Sequence, residues 1–280
     1  MTKNFIQRTL TGALFAGLLI FCILCNEYTF GAIFLLISVL GVIEFHKLIS
    51  TKYEIEIHPV VPAIGAALLF VSVYLTVIYF AFSVFLLVYV LFVSIVFITE
   101  IFRKKKNPLL NLAFFALGQI YVALPFALLN FIAFSQGSHY GYYNGIFVLA
   151  FFVITWIYDT GAYVVGVSIG KHRMCERISP KKSWEGFFGG LVFAMGAACV
   201  FAQFDTTLTL LQWLGFSLVI VVFGTFGDLS ESLLKRTLDV KDSGNILPGH
   251  GGILDRFDSI LFAAIAICIY LQLLFTNITL

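Results

Sequence analysis

Residues 1–26 read MTKNFIQRTLTGALFAGLLIFCILCN, two basic residues followed by an apolar run. A secretory leader starts the same way, but it ends at a small-x-small cleavage site. The run from Leu10 to Cys25 has no clear site of that kind, and more apolar stretches follow it, so it reads as a first transmembrane helix. The composition agrees. Of 280 residues, 60% are hydrophobic and 11% charged, and the mean hydropathy is +1.00. Soluble domains carry about 25% charged residues. A water-soluble protein of this length would need far more polar surface.

A helix needs about 20 apolar residues to cross the bilayer core. Candidate spans cover 9–25, 28–45, 59–78, 80–101, 109–134, 146–170, 186–204, 209–228 and 253–276. The expectation is an all-α polytopic membrane protein with about nine transmembrane helices. Pro125 should kink or tilt the fifth, because proline interrupts the helical hydrogen-bond ladder. The stretch SQGSHYGYYNG after it reads as a loop with interfacial tyrosines.

On this map all 17 Lys and Arg fall on one side. Lys3 and Arg8 precede the first span, and Lys47 and Lys52 follow the second. Arg103 to Lys106 follow the fourth, and Lys171, Arg173, Arg177, Lys181 and Lys182 the sixth. Lys235, Arg236, Lys241 and Arg256 lie between the eighth span and the start of the ninth. By the positive-inside rule that side and the N-terminus are cytoplasmic, and the expected location is the cell (inner or cytoplasmic) membrane. The formal net charge of +2 adds little, and nothing calls for a nucleic-acid partner.

The five cysteines form no disulfide framework. Cys22 and Cys25 make a C-x-x-C inside an apolar run, where packing is the ordinary role. His172 and Cys175 are too few for a zinc site. No repeat, low-complexity tract or linker divides the chain. Polar residues gather in the later spans, so 1–134 is read as a transmembrane scaffold and 146–280 as the catalytic half.

Three segments carry the candidate chemistry. In WIYDTGAYVVGVSIGKHRM, Asp159 is an ionisable group inside a span, which marks function unless a neighbouring cation pairs it for structure. Gly166-x-x-x-Gly170 permits close helix approach. Lys171 completes no phosphate-binding P-loop, since three residues separate those glycines and His172 follows the lysine. In ISPKKSWEGFFGG, Lys181, Lys182 and Ser183 abut a glycine-rich helix start. That is a place for a phosphate or simply a basic anchor on anionic lipid.

The third segment is GTFGDLSESLLKRTLDVKDSGNILPGHGGILDRFDS, residues 224–259. Asp228, Ser232 and Lys235 share a helix face at i, i+4, i+7, and Asp255, Asp258 and Ser259 share another at i, i+3, i+4. If the two helices are antiparallel neighbours, Asp228 and Asp255 meet near the cytoplasmic mouth. Two close carboxylates repel unless a proton or a cation joins them, and hard oxygen ligands suit Mg²⁺. A salt-bridged helical hairpin would explain the acids and Arg256. It would leave His250 and the glycines without a role.

Ser232-Leu-Leu-Lys-Arg, Lys241-Asp242, Gly244, Leu247-Pro248, His250-Gly-Gly-Ile and Asp255-Arg-Phe-Asp258 together resemble the signature of the phosphatidate cytidylyltransferases of bacteria. DTGAYVVGVSIGK and ISPKKSWEG also look like motifs of that family. The resemblance implies a nine-helix membrane enzyme, a homodimer, that forms CDP-diacylglycerol and pyrophosphate from CTP and phosphatidate of the membrane. It implies Mg²⁺, with a monovalent cation such as K⁺ beside it, and Asp228 and Asp255 as metal ligands. Lys235, Lys241 and Arg256 are then expected as phosphate partners. Lys171, Lys181, Lys182, Ser183, Ser232, Asp242 and His250 are expected around the substrates, with Asp159 and Asp258 as site residues. Two rivals fit less well. A CDP-alcohol phosphotransferase needs D-G-x-x-A-R…D-x-x-x-D, which is missing, and a secondary transporter would place its site at midplane within an inverted repeat.

Overall fold

The computed structural model describes residues 2–79, 82–135, 142–244, 246 and 251–278, with side chains from Leu10 to Phe275 apart from 82 and 83. Its helices are α1 (Thr2–Cys25), α2 (Glu27–Ile49), α3 (Val60–Tyr79), α4 (Phe82–Phe102), α5 (Pro108–Gly118), α6 (Leu124–Ala133), α7 (Ile146–Ile169), α8 (Trp184–Phe204), α9 (Leu210–Thr237) and α10 (Leu254–Ile278). Taking α5 and α6 as one, eight of them are long and apolar enough to cross a membrane. In α1 the apolar part, Leu10–Cys25, is shorter. At 1.5 Å per residue it spans about 24 Å, against about 30 Å for the hydrocarbon core. The protein is thus an all-α polytopic membrane protein of eight to nine spans. The start of the fourth expected span and much of SQGSHYGYYNG lie outside the described residues.

Pro125 has the effect its chemistry requires. Between α5 and α6 the helix widens into a π turn, Gln119–Ala123, that ends just before the proline. Pro125 has no N–H for the carbonyl four residues back, and a local π adjustment inside a span re-satisfies the freed groups.

Small residues and aromatics build the interior. Phe30, Phe34, Phe126, Phe147, Phe152, Trp213 and Phe257 are all but fully buried. Between α7 and α8 two positions leave no room for a side chain: a Cβ on Gly186 would lie 2.8 Å from the Ala162 carbonyl, and one on Gly190 2.8 Å from that of Tyr158. Lipid is as apolar as leucine, so membrane helices associate through such close packing. Gly166 joins the seam, facing the Gly186 Cα. Helices α9 and α10 run antiparallel, as Tyr270 donating to the Gln212 carbonyl (2.8 Å) and Gly227 against the Asp258 carbonyl both show.

One short sheet departs from the all-helical expectation. β1 (Arg173–Cys175) and β2 (Ser179–Ser183) form an antiparallel hairpin between α7 and α8. Pro180 fits there because a two-stranded ribbon is all edge, where a missing N–H is tolerated. Glu185 ties the hairpin to α8, accepting from the His172 backbone N–H (3.2 Å) and pairing with its Nδ1 (2.6 Å).

The basic segments meet at one end of the bundle. Lys52 donates to Asp239 (2.7 Å) and to the Thr237 carbonyl (2.6 Å). Arg103 donates to the Glu56 carbonyl (2.5 Å), and Lys105 lies 3.4 Å from the Glu56 carboxylate. Helix α9 starts at the opposite end and reaches this one. Its 28 residues measure about 42 Å, so its last turns stand beyond the hydrocarbon core.

Candidate active site

At this basic end a cavity of about 520 Å³ opens between α1, α7, the hairpin, α8, α9 and α10. Its walls are of two kinds. Phe15, Ala16 and Leu19 of α1 and Phe152 of α7 are apolar, whereas Asp159, Asp228, Asp255, Asp258, Lys181, Lys182 and Arg256 are charged. Helix geometry explains the grouping: α9 delivers Asp228 and α10 delivers Asp255 and Asp258 one turn apart on the same face. The hairpin adds Lys181 and Lys182 to the lining.

Each carboxylate has its own surroundings. Asp228 forms an ion pair with Lys182 and accepts from Ser232 (3.3 Å). Asp255 is more tightly held. Its Oδ1 pairs with Lys235 (2.8 Å), while its Oδ2 accepts from the backbone N–H groups of Ser243 and Gly252 (2.9 Å each). Gly251 turns this loop at φ +83°, a conformation glycine adopts without strain. Asp258 accepts from the Ser259 N–H (2.6 Å). Asp159 lies on the cavity wall at an exposed position of α7.

The remaining expected residues divide. Ser183 lines the cavity and also caps α8, its hydroxyl accepting from the Gly186 N–H (3.1 Å). Lys235 and Ser232 stand behind the wall, reaching it through Asp255 and Asp228. Lys171, Lys241 and Asp242 are exposed and lie off the lining. His250, with Leu247, Pro248 and Gly249 of the same motif, lies outside the described residues.

Three contributions were not anticipated. Glu231 is fully buried and also pairs with Lys235 (3.1 Å), the lysine that holds Asp255. Tyr158 donates to Thr225 (2.6 Å), whose own proton goes to the Val221 carbonyl, and both side chains line the cavity. Glu44 of α2, almost fully buried, reaches the loop before α10. Glu44 lies inside the second expected span, so the test that singled out Asp159 would also have found it.

Among the described residues, no three His, Cys, Asp or Glu side chains come together closely enough to hold a metal ion by themselves. That does not disqualify Mg²⁺. This cation keeps several waters and is commonly bound by one or two carboxylates plus substrate phosphates. The carboxylates that α9 and α10 place on the cavity lining, Asp228 and Asp255, supply hard oxygen donors of that kind.

Comparison with known proteins points one way. The profile of the cytidylyltransferase family matches residues 6–274. The phosphatidate cytidylyltransferase of Bacillus subtilis (strain 168) is 36% identical over 260 residues, covering 91% of this chain and 93% of that protein. The phosphatidate cytidylyltransferase of Staphylococcus aureus (strain COL) is 42% identical over 165 residues, 58% of this chain and 60% of that one. That of Staphylococcus haemolyticus (strain JCSC1435) is 40% identical over 163 residues, with the same coverage.

Proposed function

The chain belongs to the cytidylyltransferase family, a nucleotidyltransferase of the membrane, and on that premise we propose that it makes CDP-diacylglycerol and pyrophosphate from CTP and phosphatidate. One observation carries the choice of substrate: a single cavity joins an apolar wall to a wall of carboxylates and cations. A lipid with a phosphate head needs both. The apolar wall takes acyl chain, and Lys181, Lys182 and Arg256 take phosphate charge. The relatives' names support the same reaction.

The site has no need of a general base. A phosphate monoester is mostly dianionic at pH 7, its second pKa being about 6, so phosphatidate arrives as a nucleophile. Its oxygen attacks the α-phosphorus of CTP, one P–O bond forms, and the α–β bond breaks to release pyrophosphate. The protein's task is to align the two phosphates and offset charge where it develops. Lys182, Lys181 and Arg256 do this at the opening, and Lys235 holds Asp255 in place from behind. Lys241, Lys171, Asp242 and His250 belong to the proposed substrate surroundings through the motif alone.

Mg²⁺, held by Asp228 and Asp255 with substrate oxygens, would supply neutralisation of phosphate charge. Asp258 and Asp159 line the same cavity. Neither the structure nor the relatives support a role for K⁺. The proposal includes a site facing the cytoplasm of the inner membrane, which the one-sided basic residues support. It keeps a catalytic half at 146–280 on a scaffold at 1–134, with α1 lining the cavity and Glu44 bonded to the loop before α10. The homodimer rests on the resemblance.

Detergent-purified protein with α-labelled CTP, phosphatidate and Mg²⁺ should place label in lipid, and pyrophosphate release should require phosphatidate. A chiral α-thiotriphosphate of cytidine should invert at phosphorus. Absence of labelled lipid overturns the reaction. Retention, or a labelled cytidylyl-enzyme formed without lipid, overturns direct displacement.

A further inference from the structure

Glu44 is a carboxylate near the C-terminal end of α2, 3% exposed, and its hydrogen-bond partners are about 200 residues away in sequence. Its Oε1 accepts from the Ser243 hydroxyl (2.5 Å) and the Leu254 N–H (2.9 Å), and its Oε2 from the Ile253 N–H (2.9 Å). Leu254 is the first residue of α10 and Ile253 immediately precedes it, at the helix end where unpaired donors and the helix dipole favour an anion. Glu44 therefore caps α10 from a different helix.

The cap continues to the site. With its proton committed to Glu44, the Ser243 oxygen accepts from the Asp255 N–H (3.3 Å). The Asp255 carboxylate closes the ring by accepting from the Ser243 and Gly252 N–H groups. Two motif glycines serve the same arrangement. A Cβ on Gly244 would lie 2.7 Å from Glu44 Oε2, and one on Gly252 would overlap both Glu44 Oε1 and the Ser243 hydroxyl.

We propose that Glu44 is a positioning residue for the cytidylyl transfer, holding the start of α10 through Ser243 so that Asp255 faces the substrates. This rests on the reaction assigned to the cavity above. Glu44 touches neither substrate, and its effect runs through the backbone and Ser243.

Glu44→Gln tests it in the full-length protein. The amide keeps the shape but replaces one acceptor with a donor. Three donors converge on this group, so a donor must then confront a donor. The variant should unfold within a few degrees of wild type, with kcat lower by about 100-fold, the cost of a small misplacement of reacting groups. KM for CTP and phosphatidate should stay within about twofold, since ground-state binding is untouched. Hydrogen exchange in the peptide covering 251–258 should quicken. Ser243→Ala should lower kcat alone and add little in the Glu44→Gln background, because both act through one network.

Wild-type kcat in Glu44→Gln, or losses that multiply independently in the double variant, overturns the proposal. If Glu44→Gln fails to accumulate, Ser243→Ala decides: lowered kcat at unchanged KM supports it, and unchanged kcat overturns it. A wild-type protein without turnover overturns the assigned reaction instead. The bracing of α10 is then judged by exchange alone, faster exchange in Glu44→Gln supporting it and unchanged exchange removing it.

Discussion

Asp228 and Asp255 line one cavity but are held very differently, and the difference predicts separable effects. The side chain of Asp228 is 27% exposed and meets Lys182 and Ser232. That of Asp255 is 8% exposed and holds Lys235 with two backbone amides. Asp228→Asn and Asp255→Asn should each lower turnover by about 100- to 1,000-fold, the scale of losing one preorganised electrostatic group. Stability should distinguish them. Removing one partner from a buried pair costs about 3–5 kcal/mol, so Asp255→Asn should melt well below wild type and Asp228→Asn close to it. Pyrophosphate release and thermal unfolding, measured on the same preparations, check both, and near-normal turnover in either variant removes that residue from the site. Most cavity acids were legible as ionisable groups at the ends of apolar runs, where their cost demands a reason. Lys171, Lys241 and Asp242 lie in loops, where no helical period fixes a facing, and they stand away from the lining. Glu44 was findable as an ionisable group inside an expected span, but its partners were not, because they lie about 200 residues away and sequence spacing carries no such contact.

Helix α8 shows how much of an element a sequence discloses. Its span and start were readable from the apolar run and from Ser183 before it, since serine caps helices well. Which of its glycines matters was not readable, because only the neighbouring helix decides. Gly190 sits against Tyr158, where an added Cβ would lie 2.8 Å from the carbonyl, whereas a Cβ on Gly196 would meet nothing within 4 Å. Gly190→Ala should therefore cost about 1–3 kcal/mol through overpacking, and it should disturb the Tyr158–Thr225 bond on the cavity wall. Gly196→Ala should gain about 0.5–1 kcal/mol from helix propensity alone. Detergent melting curves of the two proteins give the comparison, and equal shifts would contradict the α7–α8 seam. The hairpin and the π turn were hidden for a related reason. Five residues of β2 carry too little alternation to announce a strand, and Pro125 signals an interruption without saying how the ladder is repaired.

The whole bundle has one chemically distinct end. Lys52 reaches Asp239, Lys105 reaches Glu56, and Lys182 reaches Asp228, so segments far apart in sequence close over the same face as the cavity. A bilayer around these helices would leave that face in water on one side, and the proposal takes that side as the cytoplasm because all 17 basic residues fall there. Under the proposed orientation the cavity and CTP share a compartment, and α1 forms the apolar side of the cavity proposed for the lipid substrate. The orientation can be measured without any assay of activity. In a protein freed of its native cysteines, Tyr142→Cys, exposed between α6 and α7, should react with an impermeant thiol reagent applied to intact cells. Lys105→Cys, between α4 and α5, should react only after the membrane is opened. An even number of spans before Lys105 returns the chain to the N-terminal side, and the single crossing by α5 and α6 takes it away again, so the two sites must differ. Labelling of Lys105→Cys in sealed cells would invert the molecule and put the cavity on the wrong side for CTP. Equal labelling of both would remove one crossing and with it the nine-span topology.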